Sequence, residues 1–190
     1  MKTPYNEIVN IASIGSQTNP ISLNEILRKA NDEQLTPAAQ NKERVLFLGI
    51  DVQQDFMDNG ALGVPGAHGD VERMTQFIYN NMDKITNIAV SIDTHTPHQI
   101  FHPCWWIDEN GNNPAPYTPI TLADLDSGKY RAVIYPRQSR DYVEHLEKDG
   151  KKTLCVWSYH CLQGTSGAAF ENQFANMIYF HSVAKKAVTQ

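Results

Sequence analysis

The sequence predicts an α/β fold with a mostly parallel sheet and helices on both faces. Three apolar runs of strand length, at 45–50, 88–92 and 153–157, alternate with helical patterns. A continuous apolar run is typical of a parallel strand that is covered on both faces. The order of elements is helix, strand, helix, strand, excursion, helix, strand, helix, as in a doubly wound domain. Because sheets usually have about five or six strands, we expect this sheet to be incomplete at the C-terminus.

Two regions are predicted along the chain: an N-terminal extension, residues 1–44, and a domain that covers residues 45–190. Ser22 and Glu25 form a capping-box pattern, which predicts a short helix in the extension. Residues 103–150 form a long excursion, typical of a lid or a functional loop. Three further helices are predicted, one with Asp70 as its N-cap, one over 140–148 and one after Gly167.

Composition restricts the partners of this chain. Its net charge is −5 and it has no basic patch, which argues against nucleic acid as a partner. It has no apolar run of roughly 18 residues, so no membrane-spanning segment is expected. The N-terminus lacks the apolar core of a signal peptide, and the three cysteines have no metal-knuckle spacing. We therefore expect a cytoplasmic protein with reduced thiols that acts on a small molecule.

Ionisable side chains follow two of the predicted strands, and they suit a divalent metal. Asp93 and His95 come directly after the second strand, and His160 follows the third. Ligands bind at the carboxyl ends of strands in open α/β sheets, so these side chains are expected to converge. One carboxylate and two imidazoles suit zinc, iron or manganese, with positions left open for water or substrate. Of two further histidines, His98 and His102, either could be a fourth ligand, but we place both outside the ligand set.

A fourth ionisable residue, Asp51, ends the most apolar strand of the chain. A buried carboxylate is costly unless it is paired, so Asp51 is either a proton acceptor or a helix cap. We favour the catalytic role. The sequence has no evident nucleophile, because Cys161 is adjacent to His160 and adjacent side chains rarely face each other.

Three motifs in this order resemble those of nicotinamidases and the wider isochorismatase-like cysteine hydrolases. They are Asp51-Val52-Gln53-Gln54-Asp55-Phe56, Asp93-Thr94-His95, and the segment from Trp157 to Ala168. The resemblance covers about residues 45–170. It implies a three-layer α/β/α fold and hydrolysis of a carboxamide such as nicotinamide to an acid and ammonia.

The resemblance also implies roles for single residues. Asp51 matches the catalytic aspartate of the family; Asp93, His95 and His160 match metal ligands; Phe56 and Trp157 match aromatic residues of the substrate pocket. The family's nucleophilic cysteine lies in a later motif that this sequence lacks, and Cys161 matches a different position. Lys185 lies in a predicted helix, so it is not assigned as the catalytic lysine.

We therefore expect a nicotinamidase-like amidohydrolase that carries the metal site and the aspartate but not the nucleophile. The alternative is a catalytically silent homologue that binds metal and ligand, or a subunit completed by a partner. For either function, the expected protein partner is a second copy in a homo-oligomer or a complementing chain. A non-haem iron oxygenase would also use two histidines and a carboxylate. The α/β pattern and the first motif argue against it.

Overall fold

Helices and short strands alternate along the computed structural model, which describes residues 1–188. The α-helices of this part of the chain are α1 Leu23–Asn31, α2 Ala67–Asn80, α3 Leu122–Asp126, α4 Pro136–Lys148 and α5 Asn172–Ala184. The strands are β1 Leu46–Gly49, β2 Asn87–Val90, β3 Trp106–Asp108, β4 Pro119–Ile120, β5 Tyr130–Ala132 and β6 Leu154–Cys155. Two compact units result: Met1–Asp93 with the chain from Gly164 onward, and Thr94–Gln163.

The first unit is built on a parallel pair of strands. β1 pairs with β2 in the register Leu46 to Asn87 through Gly49 to Val90. Helix α2 connects the two strands, as a parallel crossover requires. This confirms a mixed α/β protein with a small parallel sheet. The three-layer arrangement and the incompleteness of the sheet stay predictions.

The core of the first unit is formed by helices that pack against α5. Phe174, Ile178 and His181 of this helix are all fully buried. Ile8 and Ile26 of the N-terminal region belong to the same apolar core. The chain before β1 therefore contributes to this core, and its description as an extension of a separate hydrolase domain stays a prediction.

The second unit contains two antiparallel pairs, β3 with β5 and β4 with β6. Its core consists of buried residues from these strands, from α4 and from the position directly after β6, namely Trp106, Ile120, Ala132, Val143, Leu154 and Val156. Strand β6 is the third strand predicted from the sequence, and the prediction that it is a parallel strand is wrong. An apolar run indicates burial on both faces, and burial alone does not determine which strand is the neighbour.

Two helix boundaries also differ from the predictions. Asp70 is not the N-cap of α2; the cap is Gly66, whose φ of +90° favours glycine. The first turn is stabilised instead by Asp58, whose carboxylate accepts hydrogen bonds from the backbone N–H groups of Gly66 and His68. Helix α4 starts at Pro136, because proline is well suited to the first turn of a helix.

The predicted excursion at 103–150 is not one long loop. It holds β3, β4, α3, β5 and α4, and it supplies much of the core of the second unit.

Among residues 1–188, no helix is both long enough and apolar enough to cross a bilayer.

Candidate metal centre

Three side chains singled out in the sequence lie together in the structure. Asp93, His95 and His160 each offer one ligand atom, and these atoms lie within 4.8 Å of one another. His160 is buried, whereas Asp93 and His95 are half-buried. Since Asp93 is only two residues from His95, chain connectivity alone keeps its carboxylate close to that imidazole.

Backbone hydrogen bonds hold His95 beside His160. The N–H of His95 donates to the carbonyl of Cys161 at 2.9 Å, and the N–H of Gln163 donates to the carbonyl of His95 at 2.9 Å. His95 and Leu162 form an isolated parallel bridge. Cys161 has a φ of +46°, in the left-handed region, so the chain turns sharply after His160. The two imidazole rings are 4.8 Å apart, centroid to centroid, in an edge-to-face arrangement.

The imidazole of His160 is oriented by its own loop. Its Nδ1 lies 2.7 Å from the carbonyl oxygen of Ser158, and this oxygen can only accept a hydrogen bond. Nδ1 therefore carries the proton, and the lone pair is on Nε2. A backbone carbonyl that fixes the ring in this way is the usual support of a metal-binding histidine.

Asp93 is held by a residue whose role the sequence did not reveal. The side chain of Gln53 is fully buried; its Nε2 donates to the carbonyls of Asp93 and Ala168, both at 2.8 Å. Its Oε1 accepts from the N–H of Asp93 at 2.7 Å. Gln53 belongs to the first motif, but its partner lies 40 residues further along the chain, so only the folded chain shows the contact.

A third imidazole lies next to the cluster in the second unit. The ring of His102 is 5.9 Å from that of His95 and 6.1 Å from that of His160, centroid to centroid. Burial lowers the pKa of His102, and the nearby His160 and His95 lower it further, while a hydrogen bond to Pro97 opposes the shift. His102 is thus kept neutral at neutral pH. It lies outside the set of three ligand atoms within 4.8 Å of one another.

The donor set fits a divalent transition metal. An oxygen and two nitrogens suit zinc, iron or manganese, while calcium and magnesium prefer oxygen alone. Metal ligands are usually held in place by further hydrogen bonds. Here the bond to Ser158 fixes the tautomer of His160, and the bond to Gln53 holds the backbone of Asp93. The cluster therefore fits the expected ion, and its donors do not identify which one.

Asp51 lies in the first unit, at the end of β1, and is half-buried. Its backbone has a φ of +52°, which is strained for a residue other than glycine. The hydroxyl of Ser91 accepts a hydrogen bond from the N–H of Asp51 at 3.1 Å and donates to its carboxylate. These bonds hold the carboxylate in one orientation at the end of the strand.

The two aromatic residues predicted to bind substrate lie in different units. Phe56 and Asp51 line the same cavity of the first unit, of about 340 Å³, between the first motif and α2. Trp157 belongs to the second unit, is 38% exposed, and packs edge to face on Tyr117. Its backbone N–H donates to the carbonyl of Phe101 at 2.7 Å.

Lys185, left unassigned in the sequence, is fully buried at the C-cap of α5. Its ammonium group donates to Asn41 Oδ1 and to the backbone and side-chain oxygens of Asp83. These bonds hold the ammonium group at the end of α5, next to Asn41 and Asp83. Cys161 is fully buried as well.

No family model matches this chain, and no curated protein matches it in sequence. Similar solved structures include the yeast nicotinamidase Pnc1p bound to nicotinaldehyde, at 18% identity and a TM-score of 0.46, over 76% of this chain and 54% of that one. A nicotinamidase/pyrazinamidase of Acinetobacter baumanii is similar at 20% identity and a TM-score of 0.41, over 70% of this chain and 47% of that one. The chain thus spans about half the length of the solved structures that it matches.

Proposed function

We propose that this chain is a metal-dependent amidohydrolase of the nicotinamidase type, which converts a carboxamide such as nicotinamide to a carboxylate and ammonia. The observation that carries the proposal is the cluster of Asp93, His95 and His160. Two motifs far apart in the sequence supply these side chains, and their ligand atoms lie within 4.8 Å of one another.

The three residues of the cluster bind the ion, and Gln53 holds Asp93 in place through the backbone. When bound, a divalent ion supplies a Lewis acid for the amide carbonyl. The hydrogen bond from Nδ1 of His160 to Ser158 keeps the lone pair of Nε2 available to the cluster.

Asp51 is the proton acceptor of the proposed reaction. Its position at the end of a strand, its strained backbone and its hydrogen bond with Ser91 present an oriented carboxylate. Phe56 shares a cavity with Asp51, and a flat pyridine ring suits an aromatic wall of this kind. Trp157 is the second aromatic residue that we assign to the substrate.

The overall reaction consumes one water molecule. Water attacks the carbonyl carbon and gives up a proton to Asp51; the C–N bond then breaks, and the nitrogen takes up a proton and leaves as ammonia. We assign no nucleophilic cysteine, because Cys161 is fully buried and its position differs from that of the family's nucleophile. The burial of Cys161 also favours the second candidate, a homologue that binds metal and carboxamide without turnover.

Ammonia release from nicotinamide tests the proposal, with the full chain loaded in turn with zinc, manganese and iron. We expect turnover in the wild type, none in Asp51→Asn with its metal content unchanged, and loss of both metal and turnover in His160→Ala. A wild type that binds metal and nicotinamide but releases no ammonia would support the silent homologue. If Asp51→Asn loses its metal, the role assigned to Asp51 is wrong.

A further inference from the structure

We infer that His102 is a positioning residue of this centre: its Nε2 accepts a hydrogen bond from an N–H group of the molecule bound at the cluster of Asp93, His95 and His160. The inference rests on the proposed function and adds a residue that determines the preference for a primary carboxamide.

The protonation of His102 follows from its partner. Its Nδ1 lies 2.9 Å from the carbonyl oxygen of Pro97, which accepts hydrogen bonds only. Nδ1 therefore carries the proton in the neutral ring, and Nε2 is an acceptor. A neutral imidazole fixed in this tautomer can receive a hydrogen bond at one atom, Nε2.

That acceptor is buried and unpaired. His102 is fully buried, and its Nε2 has no hydrogen-bond partner within residues 1–188. Buried polar atoms are nearly always hydrogen-bonded, and an exception indicates a bound molecule or a functional role.

The location of the ring indicates which molecule is the partner. His102 lies edge to face with both His95 and His160, at interplanar angles of 90° and 89°. It is close to the two histidine ligands without belonging to the set of ligand atoms. An acceptor at this position is suited to contact a molecule held by the cluster rather than the ion itself.

Neighbouring rings keep His102 in place. Phe101 and Tyr159 lie 4.8 Å and 4.9 Å from it, centroid to centroid. The hydroxyl of Tyr159 in turn accepts a hydrogen bond from the backbone N–H of Cys104 at 3.1 Å. The acceptor is thus pre-oriented, which is the property that a specificity-determining group needs.

An unpaired acceptor discriminates between carbonyl compounds. A primary carboxamide carries two N–H donors, whereas an ester of the same acid carries none. Binding the ester would leave Nε2 of His102 unpaired, and sites built for a hydrogen bond reject ligands that lack it. The centre should therefore prefer a primary carboxamide to its ester.

The test uses the full chain loaded with Co²⁺, whose visible absorption reports ligand binding without any need for turnover. Nicotinamide and methyl nicotinate are titrated separately. We expect the wild type to bind nicotinamide at least about 10-fold more tightly, the effect of roughly one hydrogen bond. In His102→Phe the preference should fall to within about 3-fold, with the affinity for Co²⁺ unchanged.

Two further variants make the result specific. His102→Gln should regain part of the preference, because its amide oxygen can accept the same hydrogen bond; a merely structural role would not be rescued in this way. His145→Gln, at an exposed histidine of α4, should behave as the wild type. If His102→Phe does not fold, His102→Leu replaces it.

The outcomes separate the two proposals. A wild type that binds no Co²⁺ overturns the proposed function and the inference with it. A wild type that binds Co²⁺ while the His102 variants keep the preference for nicotinamide overturns the inference alone. The inference also fails if His102→Phe loses Co²⁺, since His102 would then be a ligand.

Discussion

Gln53 shows how a single buried side chain supports the candidate site. It makes three hydrogen bonds, and two of them reach the backbone of Asp93. We expect Gln53→Leu to lower the affinity for metal roughly 10- to 100-fold, the usual effect of removing a support of a ligand. It should also cost about 1–3 kcal/mol of stability, because buried backbone groups lose their partner. Calorimetric titration with Zn²⁺ and denaturant unfolding measure the two effects.

A neighbouring residue provides the control for this variant. Gln54 is also buried, but its side chain donates to Ser16. Gln54→Leu should change stability without a comparable change in metal affinity. Equal metal affinity in the wild type and in Gln53→Leu would show that Gln53 does not position Asp93.

The candidate ligands could be predicted from the sequence, whereas their supports could not. Asp93, His95 and His160 lie in short motifs at strand ends, where residue type and spacing already indicate metal chemistry. The contacts of Gln53 with Asp93, and of His102 with the two imidazoles, join different segments of the chain. Such contacts depend on how the segments pack, which local patterns do not specify.

We expect the stability of the protein to depend on pH because of a buried histidine in α5. Burial lowers the pKa of His181 from its usual 6.5, against the raising effect of its hydrogen bond with Ile85. The unfolded chain therefore binds more protons as the pH falls through about 6.5. We expect the free energy of unfolding to decrease from pH 7 to pH 5, by at most about 1.4 kcal/mol per pH unit from this residue.

Denaturant unfolding across this pH range compares the wild type with His181→Gln. Because glutamine does not titrate, the variant should show a shallower dependence on pH, whatever its stability at pH 7. The same slope in both proteins would exclude His181 as the source.

At the level of elements, the packing of α1 against α5 stabilises the first unit. Ile26 of α1 is fully buried in the core, while Leu23 of the same helix is 48% exposed. Ile26→Ala should cost about 2–5 kcal/mol through lost burial and the cavity left behind. Leu23→Ala should change stability by roughly 0.5 kcal/mol or less. Urea unfolding of both variants measures the difference, and similar costs would contradict this assignment of the core.

The helices were easier to predict than the pairing of the strands. A helix was predicted after Gly167, and α5 lies there, with most of its residues buried. Ser22 is the N-cap of α1, although its side chain makes no capping hydrogen bond. Strand β6 pairs antiparallel with β4 because the segment before it folds into its own small core. Nothing in the apolar run of β6 itself specifies that partner.

At the level of the whole molecule, metal binding should stabilise the folded state. Two distant parts of the chain supply the three ligands, Asp93 with His95 and then His160, so the unfolded chain offers no comparable site. An ion present at 100 times its Kd stabilises the protein by about 2.7 kcal/mol. For a chain of this size, that corresponds to a rise in Tm of roughly 5–10 °C. Differential scanning calorimetry with and without Zn²⁺ checks this.

Asp93→Ala is the matched variant for the thermal experiment, since it removes one ligand at a half-buried position. Its Tm should be nearly independent of Zn²⁺. A wild-type Tm that does not respond to any of the three metals would argue against the cluster as a binding site.

The α/β class of the whole chain was predictable from the alternation of apolar runs and helical patterns, and the parallel pair β1–β2 confirms it. The division into two units was not, because it depends on which strands pair across the long central segment.

The most direct test of this account is the metal content of the chain after equilibrium dialysis against Zn²⁺, measured by mass spectrometry. We predict about one ion per wild-type chain, as in other protein zinc sites, and close to none in His95→Ala and His160→Ala. A wild type without bound metal, or histidine variants that retain it in full, would contradict the assignment of Asp93, His95 and His160 as a metal centre.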